Sequence, residues 1–267
     1  MHKVTVITPS FNSAKFIEIC IKSIAIQRTE TFKVRHIIMD GGSTDGTADV
    51  VKPYLNEDTE FISKSDKGPA DAINHGIALS NSEYVCWLNA DDVYEPGALE
   101  RAVAMLDANP KASFCYGYCP IINENGNEIR KFITRFKELF FPIASLAIFQ
   151  TLNFISQPSV LFRSSAVREI GELKFDLKAA WDYDFLLRIW KVGSPVIVKA
   201  IQAYFRWTPQ SISGQNFEVQ FKEAFSAAVN QAGYWKPWIW IHWISIRFII
   251  ILYLLMTFKH RKRMSKA

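Results

Sequence analysis

Cysteine is sparse in this chain and never paired. Cys20, Cys86, Cys115 and Cys119 lie among 267 residues without metal-type spacing, which excludes a zinc knuckle and a disulfide scaffold and fits a reducing compartment. Glycine is missing where a triphosphate-binding loop would need it, because the first strand exits into Ser10-Phe11-Asn12-Ser13 rather than a glycine-rich basic loop. No internal period or low-complexity linker divides the sequence, and no leader precedes the first strand, so the expectation is one large α/β domain in the cytosol. Charge of one sign is not concentrated before the extreme C-terminus. A net charge of +5, with acids and bases interspersed, leaves no footprint for nucleic acid.

What is present is a series of strand ends carrying polar groups. Glu83-Tyr84-Val85-Cys86-Trp87-Leu88 has the aromatic and β-branched content of a buried strand, and it runs into Asn89-Ala90-Asp91-Asp92 before Pro96-Gly97 breaks the chain. Carboxylates at the carboxyl end of a strand in an open α/β sheet sit where ligands bind, and oxygen ligands suit Mg²⁺ or Mn²⁺. Three earlier segments repeat the design. Val4 to Ser10 is an apolar strand whose pairing is expected to end at Pro9, with Phe11 placed to stack on a base. His36 to Asp40 runs into Gly41-Gly42-Ser43-Thr44-Asp45-Gly46, where Ser43, Thr44 or Asp45 can cap a helix. Phe61 to Gly68 turns into a helix that puts Asp71 and Asn74 on one face. Taken singly, each is equally a turn signal or a cap.

Together and in this order, TPSFN, DGGSTDGT, SDKGPADAINHG and WLNADD resemble the motifs of the family 2 glycosyltransferases. The resemblance extends through Gln157-Pro158-Ser159-Val160-Leu161-Phe162-Arg163 and Trp181-Asp182-Tyr183-Asp184-Phe185-Leu186-Leu187-Arg188, and so over about the first 210 residues. It implies a GT-A-like three-layer sandwich with a mostly parallel central sheet, inverting transfer from a nucleotide-sugar, and synthesis of cell-surface polysaccharide. It also implies that Pro9 and Phe11 border the nucleoside, Asp40 binds the base, and Asp66 with Lys67 lies beside the nucleotide. Asp71 and Asn74 would support that pocket. Asp91 would ligate the Mn²⁺ or Mg²⁺ bridging the phosphates, with Asp92 in a supporting role. Asn89 departs from the pattern, since many relatives carry an acid there; its amide can still reach a ribose or a metal-bound water but supplies no charge.

Inversion calls for a base that takes the acceptor's hydroxyl proton, and a single carboxylate suffices. The resemblance assigns that role to Asp182, two residues before Asp184. The competing reading is a carboxylate favoured by a helix N-terminus, since Phe185, Leu186, Ile189 and Trp190 recur at helical spacing. Downstream, Arg206 is expected near the donor phosphates.

Composition changes after about Gly233. Residues Trp238 to Phe258 are almost wholly apolar and aromatic, and the chain then reads Lys259-His260-Arg261-Lys262-Arg263. The run is long enough to span a bilayer, but Arg247 near its middle and a basic tail that would lie outside argue for a helix in the cytoplasmic leaflet. Spanning and interfacial readings both stay open. Phe140 to Phe149 is a second apolar stretch, read as a core helix or as an acceptor-site floor facing lipid. The expected organisation is a transferase domain over 1–215 and a membrane-associating C-terminal apolar helix within 216–267. The expected donor is a UDP-sugar, and the expected acceptor a saccharide or lipid-linked saccharide at the cytoplasmic face of the cell membrane. A sugar-nucleotide nucleotidyltransferase and a non-catalytic nucleotide-binding module are the alternatives.

Overall fold

The computed structural model describes residues 3–208, Ser211 and residues 217–247. Its centre is a seven-stranded sheet built from β1 (Val4–Ser10), β2 (Val34–Asp40), β3 (Thr59–Ser63), β4 (Tyr84–Trp87), β6 (Phe114–Tyr118), β9 (Leu161–Arg163) and β10 (Val196–Ile201), in the order β10-β6-β9-β4-β1-β2-β3. All neighbours are parallel except β9, which runs antiparallel to both β4 and β6.

Both faces of the sheet are covered, which is why its strands read as near-continuous apolar runs. The period of two sorts their side chains between layers. Val4, Val6, Tyr84 and Cys86 pack toward α1 (Ile17–Ala25) and α4 (Ala98–Asp107). Ile7, Val85 and Trp87 pack toward α3 (Pro69–Ala78) and α8 (Trp181–Ile189). Trp87 stacks on Phe162 at 5.0 Å and meets Phe185 edge-on at 5.5 Å, and burying aromatic rings of this size contributes roughly 2–3 kcal/mol each. Gly76 lets α3 settle onto β1, since a Cβ there would lie 2.6 Å from Ile7.

Pairing does not stop at Pro9 as expected. β1 stays in register with β2 through Ser10↔Asp40, while its pairing with β4 ends at Ile7↔Trp87. The missing Pro N–H therefore faces the side where no ladder bond is due, so a proline is tolerated in a central strand. With β4 stopping short, residues 88–92 cross the space above its end.

A second, four-stranded sheet comprises β5 (Val93–Tyr94), β11 (Ala203–Arg206), β7 (Ile121–Ile122) and β8 (Glu128–Ile129) in that order. It hangs the turn after β7 and the residues after β11 over the same region. Helix α5 (Lys131–Glu138) and helix α6 (Leu146–Thr151) follow. Phe141 and Phe149 are buried in the main core, so the core reading of the 140–149 stretch holds.

Residues Phe217–Ala232 form α9, which packs against α8, and a further helix covers 237–247. Ile239, His242 and Ile246 of that helix are buried, whereas Trp240, Ile241 and Ile244 are more than half exposed. No helix among the described residues is long and apolar enough to cross a membrane. The rest of the Trp238–Phe258 run and the basic tail lie outside the described residues.

Candidate active site

The carboxyl ends of β1, β2, β3 and β4 open into a cleft of about 1210 Å³. That exceeds the roughly 300–1,000 Å³ typical of a single-ligand pocket and gives room for two substrates. Pro9, Phe11, Asp66, Asn89, Asp91 and Asp182 all line it, so six of the expected residues converge from segments distant in sequence, five from strand ends and Asp182 from the start of α8.

On one wall the loops after β1 and β2 are clasped together. Ser43 Oγ accepts from the Asn12 amide at 2.8 Å, Asn12 Oδ1 from the Thr44 amide at 3.0 Å, and Asp45 Oδ2 from the Ala14 amide at 3.0 Å. The clasp holds Asn12 at a φ of 49°, a left-handed conformation that asparagine tolerates, and leaves Phe11 64% exposed on the cleft wall.

Asp40 anchors this loop. Its carboxylate accepts from the Gly42 and Ser43 amides and from the Ser43 and Ser63 hydroxyls. Burial pushes its carboxyl up, but those bonds outweigh burial and hold it below the ordinary range. It lines not the main cleft but an adjoining hollow of 80 Å³ that shares Asp66 and Ala72 with it. Gly41 lets the Asp66 carboxylate sit close to the backbone, since a Cβ there would come within 2.9 Å of Asp66 Oδ2 and displace it.

Three other expected residues do not line the main cleft. Lys67 places its ammonium 4.8 Å over the Phe175 ring. Asp71 Oδ2 accepts from the Lys67 amide at 3.0 Å, tying down the start of α3. Asn74 clamps Leu173, donating to its carbonyl and accepting from its amide, both at 2.8 Å.

The Asn89 to Asp92 turn separates two carboxylates by environment. Asp92 is fully buried; Oδ1 accepts from the Arg206 amide at 2.8 Å and Oδ2 from the Asn89 side chain at 3.1 Å. Asp91 lines the cleft and has no ion-pair partner among the described residues. Burial raises both carboxyls, Asp92 more, because Asp91 stands beside it. A cation would relieve that cost at Asp91. No group of three or more His, Cys, Asp or Glu side chains suited to a metal occurs among the described residues, so the protein offers one charged oxygen. One or two carboxylates plus substrate phosphates are the usual Mg²⁺ arrangement, and Asp91 fits it.

Arg206 does not reach toward a phosphate. It is 3% exposed, its guanidinium donating to the backbone carbonyls of Asp91, Asn123 and Glu124. It is a strut between the Asp91 turn and the β7–β8 connection.

On the opposite wall the two carboxylates of WDYDFLLR separate cleanly. Asp184 is buried and ion-paired with Lys174 and Arg188, both at 2.8 Å. Asp182 lines the cleft, and burial, partly offset by the Tyr183 amide and the Lys137 charge, raises its carboxyl to about 6. Glu223 of α9 accepts from the amides of Lys178, Ala179 and Ala180. That satisfies the backbone leading into α8, while Asp182 Oδ1 accepts from the Tyr183 amide at 2.7 Å in the helix's first turn.

Several lining residues carried no site signal of their own in the sequence. Lys137 donates to Ser156 Oγ at 3.2 Å. Ser10 Oγ and Asn153 Oδ1 line the cleft as buried polar atoms without protein partners, a costly arrangement that a ligand would relieve. Arg130 stacks 3.8 Å over Trp207, and Lys15 pairs with Glu124 across the cleft mouth.

Comparison with known proteins bears on the family and the fold. A family model described as glycosyl transferase family 2 matches residues 5–171. A PGL/p-HBAD biosynthesis glycosyltransferase of Mycobacterium tuberculosis is 33% identical over 117 residues, covering 42% of this chain and 45% of that protein. An uncharacterized glycosyltransferase of Rickettsia conorii is 27% identical over 192 residues, covering 71% and 32%. The chain thus spans between a third and a half of the length of these curated relatives. Among solved structures, S. aureus TarS 1-349 in complex with UDP-GlcNAc aligns with a TM-score of 0.68 at 19% identity, covering 86% of this chain and 67% of that one. Mannosyltransferase PcManGT from Pyrobaculum calidifontis, in complex with GDP-Man and Mn²⁺, aligns with a TM-score of 0.63 at 18% identity, covering 91% and 73%.

Proposed function

The chain belongs to glycosyl transferase family 2, and from that premise we propose that it transfers a sugar with inversion from a UDP-sugar to a saccharide or lipid-linked saccharide acceptor in cell-surface polysaccharide synthesis. The observation that carries the reading is the division of labour between Asp91 and Asp182, two carboxylates without an ion pair among the described residues, on different walls of one cleft.

In this reading the base stacks against Phe11 beside Pro9, with Asp66 and Asp40 in the adjoining hollow at its edge. Asp91 holds a divalent ion, Mn²⁺ or Mg²⁺, which when bound neutralises the charge of the leaving diphosphate. Asn89, fixed by Asp92, presents its remaining amide oxygen to the donor. Lys67, Asp71 and Asn74 act from behind the wall by holding α3 and the Leu173 loop in place. Asp182 accepts the acceptor's hydroxyl proton as that oxygen forms its bond to the anomeric carbon, and the bond from that carbon to the diphosphate oxygen breaks with its electron pair. A carboxyl raised to about 6 is ionised at neutral pH yet more basic than an exposed one, as a general base needs. UDP-GlcNAc bound to TarS supports a uridine donor, and the mycobacterial relative's name, a PGL/p-HBAD biosynthesis glycosyltransferase, supports a biosynthetic transfer. The exposed tryptophan and isoleucine side chains in 240–244 support placement at the cytoplasmic face of the membrane.

The test is a panel of nucleotide-sugars assayed for donor hydrolysis, and for transfer with a membrane extract as acceptor. A UDP-sugar should be consumed and labelled product should appear in the extract. Pyrophosphate release from a nucleoside triphosphate and a sugar phosphate, with no donor consumed, would instead identify a nucleotidyltransferase. Binding without turnover would identify a nucleotide-binding module.

A further inference from the structure

Helix α5 is inside out. The one residue it buries is Thr134, whose hydroxyl has no hydrogen-bond partner, while Phe132 is 81%, Phe136 41% and Leu139 71% exposed. At about 100° per residue, positions 132, 136 and 139 fall within roughly 60° of one another, and 134 lies on the far side. The stripe is continuous, with Phe132 and Phe136 stacked at 6.4 Å and Phe136 edge-on to Phe140 at 5.3 Å. A helix serving only the core of this domain would bury the phenylalanines and expose the threonine. The pattern is written for an occupant on the outer side.

Charge selects the occupant. Arg135 and Lys131, the latter 3.3 Å from Glu128 in an exposed pair, border the stripe, the arrangement of aromatic and basic residues that suits an anionic head-group layer. A second copy packed symmetrically on this stripe would bring two such basic edges together. The helix's other edge belongs to the cleft, since Ile133 and Lys137 line it along with Asp182.

We propose that α5 is a lipid-docking element: the Phe132, Phe136 and Leu139 stripe enters the head-group boundary of an anionic bilayer, with Lys131 and Arg135 on its phosphates, and holds the Asp182 side of the cleft against the membrane. The proposal rests on the glycosyltransferase reading for its lipid-linked acceptor and is independent of the 238–258 run.

The test uses the full chain. All four native cysteines are buried, so F132C can be labelled selectively with an environment-sensitive fluorophore, and L55C, 44% exposed on the connection between α2 (Thr47–Val51) and β3, serves as the control. Mixed phosphatidylcholine–phosphatidylglycerol vesicles should blue-shift the label at 132 and shield it from an aqueous quencher. Pure phosphatidylcholine should do so weakly, and the label at 55 should not respond. The triple substitution F132S/F136S/L139S should weaken vesicle partitioning by about tenfold or more while leaving the UDP titration unchanged, which also certifies its fold. No response at 132, undiminished partitioning of the triple variant, or shielding that grows with protein concentration in the absence of lipid, as a dimer would give, overturns the proposal. Failure of the wild-type chain to bind UDP strikes the UDP-sugar reading of the site instead, because the label at 132 reports lipid contact regardless of nucleotide.

Discussion

Asn89 and Asp92 are joined side chain to side chain, the Asn89 amide nitrogen lying 3.1 Å from Asp92 Oδ2. The other Asp92 oxygen takes the Arg206 amide, so one buried carboxylate fixes both the turn at the end of β4 and the strand β11 beside it. The asparagine that departs from the family's acidic pattern is thus a positioned group, and of the two carboxylates in this turn Asp91 is the one that lines the cleft.

Asp91→Ala should therefore abolish the metal-dependent part of UDP binding with little change in melting temperature. Asp92→Ala should cost about 1–3 kcal/mol of stability, because a buried amide loses its acceptor. Calorimetric titration of UDP with and without Mn²⁺, beside urea denaturation, separates the two. Metal-dependent affinity surviving in Asp91→Ala would sink the ligand assignment.

For the second pair of carboxylates, Asp182→Asn should lower turnover by roughly a hundredfold or more while nucleotide affinity holds. Asp184→Asn should act through stability, costing about 3 kcal/mol as Lys174 and Arg188 lose a buried partner. An inactive but stable Asp184→Asn beside an active Asp182→Asn would reverse the roles.

The pH profile follows from the same group. Asp182 works as a base only when ionised, and its carboxyl titrates at about 6, so kcat/KM should rise with pH through about 6 and level off above it. Lys137 helps hold that carboxyl down, so Lys137→Met should move the acidic limb to higher pH. The sign for stability is opposite: a carboxyl raised in the folded state makes the native protein lose stability as pH climbs from the ordinary carboxylate range to about 6. Asp182→Asn should be the more thermostable protein at neutral pH, and equal melting temperatures there would contradict the burial of this carboxylate.

Asn74→Ala should lose about 2 kcal/mol through its two bonds to Leu173 and leave the UDP affinity of the folded fraction intact. A selective loss of affinity at unchanged stability would return Asn74 to the nucleotide pocket.

These residues show what local sequence can and cannot express. The strand ends bearing Phe11, Asp66 and Asp91, and the helix start bearing Asp182, were legible because each motif is contiguous and its element announces itself by apolar content. Asn74 shared a helix face with Asp71, which said nothing of a partner 99 positions away. Arg206 looked like a phosphate ligand because its role depends on carbonyls from two other segments. Lys137 read only as one of a basic group, since its neighbourhood to Asp182 exists only once α5 and α8 come together at the cleft. Contacts made across the fold by ordinary residues are where reading the chain alone stops.

Strand β9 lies between β4 and β6, antiparallel to each, and among the described residues no other strand joins the two halves of the central sheet. Residues 161–163 are in that sense a keystone delivered late. The half that carries the nucleotide-side loops is complete in sequence by Trp87 and can pair locally, whereas its union with β6 waits on a closure of more than 70 residues from Val85 to Phe162. Any stalled or clipped product ending before Leu161 carries Tyr84–Trp87 as an apolar strand with an open edge, the feature that recruits wrong partners. The architecture that brings two substrate walls together thus makes the incomplete chain prone to aggregate, and proteolytic or translational truncation within the family domain should yield insoluble material, not a half-site.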